Sequence, residues 1–348
     1  MDPSLVAASC CSARGERRLA SVPNFAGAPG GGRYRGCIGK GALGTFTRAG
    51  ELEDGHRPLN RRLAPLVLVI LALEARCGVG PRSERRSTLQ SRPSQSGSEC
   101  PSGRRVVWRG DVSHAGWLQR WDPAATFLYG ESNASLVEDA RFEGVLRVAY
   151  PAGSSSSSYA REGHPLGGVE FKAHLARSEA AQSIYLSYWL RFAPNFRWVK
   201  GGKLPGVCGG GCPSGGAAVT GYDGWSMRIM WRPHGDGEEY AYILPAQAYG
   251  TELGLGTWKF STGEWHRVAQ EIVLNSGGAA NGESRVWFDT DPTLPPTFEA
   301  KDLIYRLDDG PADGADTLFF STFFGGHDAG WSTPVDTFVD FANFVACR

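Results

Sequence analysis

An all-β fold, a β-sandwich or jelly roll, is what the last 248 residues of this 348-residue chain predict, and three observations predict it. From Val106 onward, apolar and polar residues alternate in short runs broken by Gly, Pro, Asn and Asp, the period-2 pattern of half-buried strands. No stretch of that region carries the helical spacing that alternating βαβ units require. All 11 Trp lie between Trp108 and Trp331, so the material for a large core is confined to this region.

Residues 1–100 are of another kind. Residues 1–60 are rich in Gly, Arg, Ser and Ala and lack the apolar periodicity that closes a core, so a largely disordered or processed segment is expected. Gly39-Lys40-Gly41-Ala42-Leu43-Gly44 matches the GxGxxG spacing of a dinucleotide loop. No strand precedes it, no amphipathic helix follows, and 47 glycines make chance matches common, so it is rejected. Leu63–Leu73 is an eleven-residue apolar run behind Arg61-Arg62, shorter than the ~20 residues of a membrane span but suited to a signal-peptide core. The expected division is therefore 1–100 as leader and 101–348 as one domain, with no stable membrane span and a secreted or lumenal location.

The strands are justified in order. Ser183–Phe192 puts Ile184, Leu186, Tyr188, Leu190 and Phe192 on one side. In the run beginning at Gly224, Trp225, Met227, Ile229 and Trp231 alternate with Ser226, Arg228 and Met230. Glu239–Leu244 places Tyr240 and Tyr242 opposite Ala241 and Ile243. Trp265–Leu274 and Ser284–Asp289 flank a turn at Gly277–Gly282, and Asp316–Phe324 and Thr337–Val345 close the chain. Cys208 and Cys212 are spaced to clip one loop, and Cys100 and Cys347 bracket the domain and can join its ends.

Side chains two apart in a strand share a face. With the Trp225–Trp231 alternation supplying a core face, Ser226 and Arg228 project to the other side, where Tyr240 and Tyr242 on a returning strand can join them. A solvated outer face with an ordinary Arg and two half-buried Tyr fits the pattern equally well. Upstream, Lys200 and Lys203 lie in a glycine-rich stretch that reads locally as a surface loop.

Gly201-Gly202-Lys203-Leu204-Pro205-Gly206, following Tyr188-Trp189-Leu190-Arg191-Phe192, resembles the family 14 polysaccharide lyases, which cleave polyuronates such as alginate and glucuronan. The resemblance continues through Trp225-Ser226-Met227-Arg228-Ile229-Met230-Trp231, Tyr240-Ala241-Tyr242, Phe323-Phe324-Gly325-Gly326 and Phe341-Ala342-Asn343-Phe344, covering roughly Val106 to Ala346. It implies a jelly roll with a concave substrate groove and an active site at Lys203, Ser226, Arg228, Tyr240 and Tyr242. The long N-terminal segment, the Cys208/Cys212 insertion and the Ser154–Ser158 run depart from the family pattern.

The implied reaction is β-elimination at a 1,4-linked mannuronate or glucuronate, leaving a 4,5-unsaturated end. Lys203 and Arg228 would stabilise the charge that develops when the proton next to the carboxylate leaves, with Ser226 as a donor. Tyr242 would move protons and Tyr240 would support it. The scheme uses no cofactor and no metal, and the seven His form no ligand motif. The expected partner is an acidic polysaccharide bound by a monomer. A non-catalytic carbohydrate-binding jelly roll is the competing reading. A hydrolase would need carboxylates facing one another across a groove, whereas Glu238 and Glu239 are strand neighbours on opposite faces. Asn133-Ala134-Ser135 is a glycosylation sequon if the chain is secreted.

Net charge fits this reading only locally. The 36 Lys+Arg and 36 Asp+Glu cancel, which argues against a nucleic-acid binder. Residues 1–100 contribute +7 (15 against 8) and the remainder −7 (21 against 28), so an acidic polymer must be held by a locally basic site.

Overall fold

The computed structural model describes residues 98–175, 181–310 and 314–348, all within one unit that spans Glu84–Arg348. The expected leader, its apolar run at 63–73 and the rejected glycine loop lie outside the described residues.

The first strands are β1 (Val106–Gly110), β2 (Phe127–Tyr129), β3 (Ala134–Val137), β4 (Val145–Tyr150) and β5 (Val169–His174). Next come β6 (Ser183–Phe192), β7 (Gly202–Gly210), β8 (Gly224–Trp231), β9 (Gly237–Tyr242) and β10 (Thr251–Leu253). The last are β11 (Trp265–Val273), β12 (Gly282–Phe288), β13 (Phe298–Leu303), β14 (Thr317–Phe324) and β15 (Thr337–Cys347). They form two antiparallel sheets: an eight-stranded one, β13-β12-β11-β6-β15-β4-β3 with β1 also on β15, and a seven-stranded one, β10-β9-β8-β7-β14-β5-β2. This is the all-β jelly-roll sandwich that the alternation predicts. β6 and β8 have the expected boundaries, and the other expected strands differ by one or two residues at their ends.

Alternation builds the core directly. Leu186, Tyr188, Leu190 and Phe192 of β6 and Val268 and Ile272 of β11 face Trp225, Met227, Ile229 and Trp231 of β8 and Leu318, Phe320 and Phe324 of β14. Trp225 and Trp231 are fully buried. Truncating either to Ala would cost roughly 3–5 kcal/mol, the range for a large aromatic removed from a packed core.

The sequence reading names seven of the fifteen strands, and of the others β7 and β5 bear on the site. The Gly202–Gly210 stretch is a central strand rather than a surface loop. Its glycines are there for close approach: a Cβ at Gly202 would lie 2.1 Å from the Trp231 indole, and one at Gly206 would lie 2.1 Å from the Met227 carbonyl oxygen. β5 is absent from the sequence reading, although Val169, Phe171 and Ala173 alternate with Glu170, Lys172 and His174.

Disulfides join Cys100 to Cys347 and Cys208 to Cys212. The first closes a loop with a sequence separation of 247, which in the chain-entropy picture stabilises the fold on the order of 5 kcal/mol. No helix among the described residues is long and apolar enough to cross a membrane.

Candidate active site

The seven-stranded sheet brings all five predicted residues onto its outward face. Antiparallel pairing sets Ser226 opposite Tyr242 and Arg228 opposite Tyr240 across β8 and β9. On the other side of β8, Cys208 pairs with Ser226, Gly206 with Arg228 and Lys203 with Met230. A bulge between Leu204 and Gly206 places this register. Pro205 sits in that bulge, and Tyr188 reaches through the core to donate a 2.9 Å hydrogen bond to its carbonyl. The lysine is thereby held from the opposite sheet.

Lys203 Nζ donates to Met230 Sδ at 2.7 Å and lies 3.5 Å from the centre of the Tyr240 ring. Desolvation, with Arg228 and Arg232 nearby, pushes its ammonium well below the usual lysine range. Arg228 is 1% exposed. Its Nη1 donates to Ser321 Oγ at 3.2 Å, while Nε and Nη2 have no hydrogen-bond partner among the described residues. Burial lowers its pKa from the ordinary arginine value, opposed chiefly by the Glu170 carboxylate.

The two tyrosines differ. Tyr240 donates its hydroxyl proton to the Tyr249 carbonyl at 3.1 Å, and burial followed by the neighbouring Tyr242 pushes its pKa upward. Tyr242 Oη instead accepts a 3.0 Å hydrogen bond from Gly216 N–H. The rings meet edge to face with centroids 5.7 Å apart.

A segment over residues 211–223, clipped at its start by Cys208–Cys212, lies across this face. Pro213 O accepts from Ser226 Oγ at 2.6 Å, Gly216 N–H donates to Tyr242, and Gly211 O accepts from Lys172 Nζ at 3.3 Å. Ser226 and Tyr242 are consequently buried, at 0% and 2% exposure, so the face expected to be an open groove is covered here in this conformation.

Sequence reasoning missed Met230, Glu170, Ser321 and the pair Arg232–Glu238. Met230 was legible, two residues beyond Arg228 on the same strand face. Glu238 faces the site and accepts from Arg232 Nε at 2.7 Å, while Glu239 points into the core, where Gln270 and Ser284 donate to it. No facing carboxylate pair arises from these two neighbours, which removes the hydrolase reading as it was framed for them. His266 is held by Ser261 and Asp289, and His234 is exposed in a turn. Asn133 Nδ2, the atom a glycan would occupy, donates to Leu166 O and Gly168 O, so the sequon is engaged in the fold. Lys200 is exposed above the Trp331 ring at 5.6 Å, away from this cluster's hydrogen bonds. Among the described residues no group of three or more His, Cys, Asp or Glu is placed to hold a metal ion.

A family profile described as Polysaccharide lyase 14 matches residues 138–344, well over half of the chain. The chain belongs to polysaccharide lyase family 14. Lys203, Ser226, Arg228, Tyr240 and Tyr242, the candidate site residues, all fall inside the matched span of this lyase. Among solved structures, the marine PL-14 alginate lyase from Aplysia kurodai is similar at 27% identity, covering 70% of this chain and 98% of its own, with a TM-score of 0.59. An alginate lyase from a Chlorella virus is similar at 19% identity, covering 70% and 100%, with a TM-score of 0.55. An endo-β-1,4-glucuronan lyase from the fungus Trichoderma reesei aligns at 16% identity, covering 70% and 95%, with a TM-score of 0.46. No curated protein sequence matches the chain significantly.

Proposed function

We propose that this polysaccharide lyase cleaves 1,4-linked mannuronate or glucuronate polymers by metal-independent β-elimination, giving 4,5-unsaturated uronate ends. The observation that supports it most is Arg228: a buried guanidinium whose Nε and Nη2 edge has no acceptor among the described residues. A buried cation without a partner is costly unless a ligand completes it. A substrate carboxylate, taking two parallel hydrogen bonds from that edge, fits both its charge and its shape.

Removing the C5 proton adds charge to a group that is already anionic. Arg228 and Lys203 stabilise that developing charge, and Ser226 adds a hydroxyl donor. Tyr242 as its phenolate takes the proton while the C5–H electrons form the C4–C5 double bond, and it returns the proton to the 4-linked oxygen as that oxygen's bond to C4 breaks, where both lie on one side of the ring. Tyr240, whose proton is held by the Tyr249 carbonyl and by burial, stays neutral and fixes Tyr242 by edge-to-face packing. A binding module has no use for a tyrosine pair divided in this way.

Productive binding requires segment 211–223 to lift. Pro213 O and Gly216 N–H then give up Ser226 and Tyr242 to the substrate. Two disulfides accord with a secreted or lumenal location, and a monomer supplies every site residue named here.

The test is incubation of the full chain with polymannuronate, polyguluronate and glucuronan, following ultraviolet absorbance of the unsaturated product. A rise with one or more of them is expected. Measurable binding to a polyuronate with no rise on any of the three would leave a binding module instead.

A further inference from the structure

Arg228 must cross a neighbouring strand to reach its hydrogen-bond partner. It stands on β8, Ser321 stands on β14, and β7 runs between the two. The crossing is possible because the β7 residue paired with Arg228 is Gly206, which carries no side chain. On the far side, Gly206 pairs with Phe319, and the Arg228 guanidinium carbon lies 4.8 Å from the centre of the Phe319 ring. The arginine therefore lies over a glycine lane and ends beside β14.

There Nη1 donates to Ser321 Oγ at 3.2 Å, and Ser321 Oγ in turn donates a hydrogen bond to Glu170 Oε2 at 2.9 Å. Ser321 is 0% exposed, and Glu170 stands opposite it on β5. The chain uses up one nitrogen and leaves the other edge, Nε with Nη2, unpartnered. Had Glu170 met Arg228 directly, its two oxygens could have taken that edge, as Asp340 takes the Nε and Nη2 of Arg147. The serine hydroxyl keeps the carboxylate one bond removed. It transmits an orienting pull but not a competing anion.

We propose that Glu170, acting through Ser321, is a positioning residue that fixes Arg228 with its two-nitrogen edge open to the substrate carboxylate. This rests on the polyuronate reading above. Neither Glu170 nor Ser321 touches the sugar; both act by denying Arg228 its other orientations. Such second partners hold a binding group to the angle that its hydrogen bonds require.

The experiment measures binding of a mannuronate tetrasaccharide by calorimetry and, in parallel, kcat/KM and Tm for five variants of the full chain. Ser321→Ala and Glu170→Ala should each weaken binding and kcat/KM by roughly tenfold, about one hydrogen bond. The double variant should be no worse than either single one, because both changes cut the same chain. Ser321→Thr keeps the hydroxyl and should restore affinity. Glu170→Gln keeps an acceptor for Ser321 and removes a negative charge near the anion, so it should bind as tightly as the parent or more so. A merely structural role would follow Tm across all five variants and would not separate Gln from Ala at 170. Wild-type affinity in Ser321→Ala, or losses that multiply in the double variant, would overturn the positioning role. A parent chain that binds the tetrasaccharide without cleaving it fails the lyase reading alone, and the variant affinities then still decide the positioning. A parent that does neither overturns both.

Discussion

Each sheet carries arginines on its outward face, and the two sheets treat them differently. On the eight-stranded sheet, Asp340 of β15 is 0% exposed and accepts from Arg147 Nε at 2.8 Å, from Arg147 Nη2 at 3.0 Å and from Arg191 Nη2 at 2.9 Å. On the seven-stranded sheet, Arg228 is still more deeply buried than either of those arginines, yet its one hydrogen bond among the described residues goes to a neutral serine. Burying a charge in a network satisfied on all sides serves the fold, and what it costs in desolvation is recovered on the spot. Burying a charge with two donors left over stores an unmet demand, which is the signature of a ligand site.

The sharpest way to break this comparison is to exchange the consequences. Arg228→Met should lower kcat/KM by about a thousandfold or more, the scale for losing a group that meets developing charge. Its Tm should hold or rise, because an unpaired buried charge has gone. Asp340→Asn should do the opposite, costing roughly 1–3 kcal/mol by leaving Arg147 without its counter-charge and Arg191 with Asp139 alone, with kcat per folded molecule unchanged. Denaturant melts and steady-state kinetics on both variants check this. Equal stability losses would mean that pairing does not divide the two faces.

The tyrosine pair sharpens the same face at a slightly smaller scale. Tyr242→Phe removes the proposed proton carrier and should lower kcat by roughly 10²–10³, within the range for general acid–base groups. Tyr240→Phe keeps the ring that packs on Tyr242 and lies under Lys203, so its loss should stay within about tenfold. Single-turnover kinetics on the two variants separate chemistry from binding. A larger loss at Tyr240 would reverse the assignment drawn from the Gly216 and Tyr249 hydrogen bonds.

Lys203 gives the face a pH dependence. Burial and the two nearby guanidinia depress its pKa, so it loses its charge, and its hold on an anion, well below the ~10.4 of an ordinary lysine. The alkaline limb of kcat/KM should therefore begin early, and Lys203→Arg, charged throughout, should move that limb upward. An unmoved limb would place the titration on another group.

Much of this was legible in the sequence, for a definite reason. Period-2 alternation fixes which residues share a strand face, so the core side of β8 and the grouping of Ser226 with Arg228, and of Tyr240 with Tyr242, follow from spacing alone. Strand order across a sheet leaves no such trace. Glu170 and Ser321 reach Arg228 only because β14 lies between β5 and β7, a long-range pairing invisible in local pattern. β7 was hidden for a related reason. Its glycines look like loop residues, yet each one that matters is small because Trp231 or the Met227–Arg228 backbone presses against it. The cover formed by 211–223 was likewise out of reach, since main-chain contacts from Pro213 and Gly216 carry no residue signature.

The comparison has a carboxylate side as well. Asp340 is buried among arginines, whereas Glu239 is fully buried between the sheets with only neutral donors, Gln270 Nε2 and Ser284 Oγ, each at 2.7 Å. Burial raises the Glu239 carboxyl to about 7, while in the unfolded chain it titrates near the ordinary ~4.3. Between those two values the folded protein keeps a proton that the unfolded chain has released. This contribution to stability is therefore complete below ~4.3, declines as pH rises through the window, and is gone above about 7. At ~1.4 kcal/mol per unit it is worth on the order of 4 kcal/mol at most. Glu239→Gln retains an acceptor for Ser284 and cannot ionise, so the fall in Tm between pH 5 and pH 8 should become shallower than in the parent. An unchanged slope would mean that Glu239 is already ionised across that range, and that neutral donors suffice to hold a buried anion between these sheets.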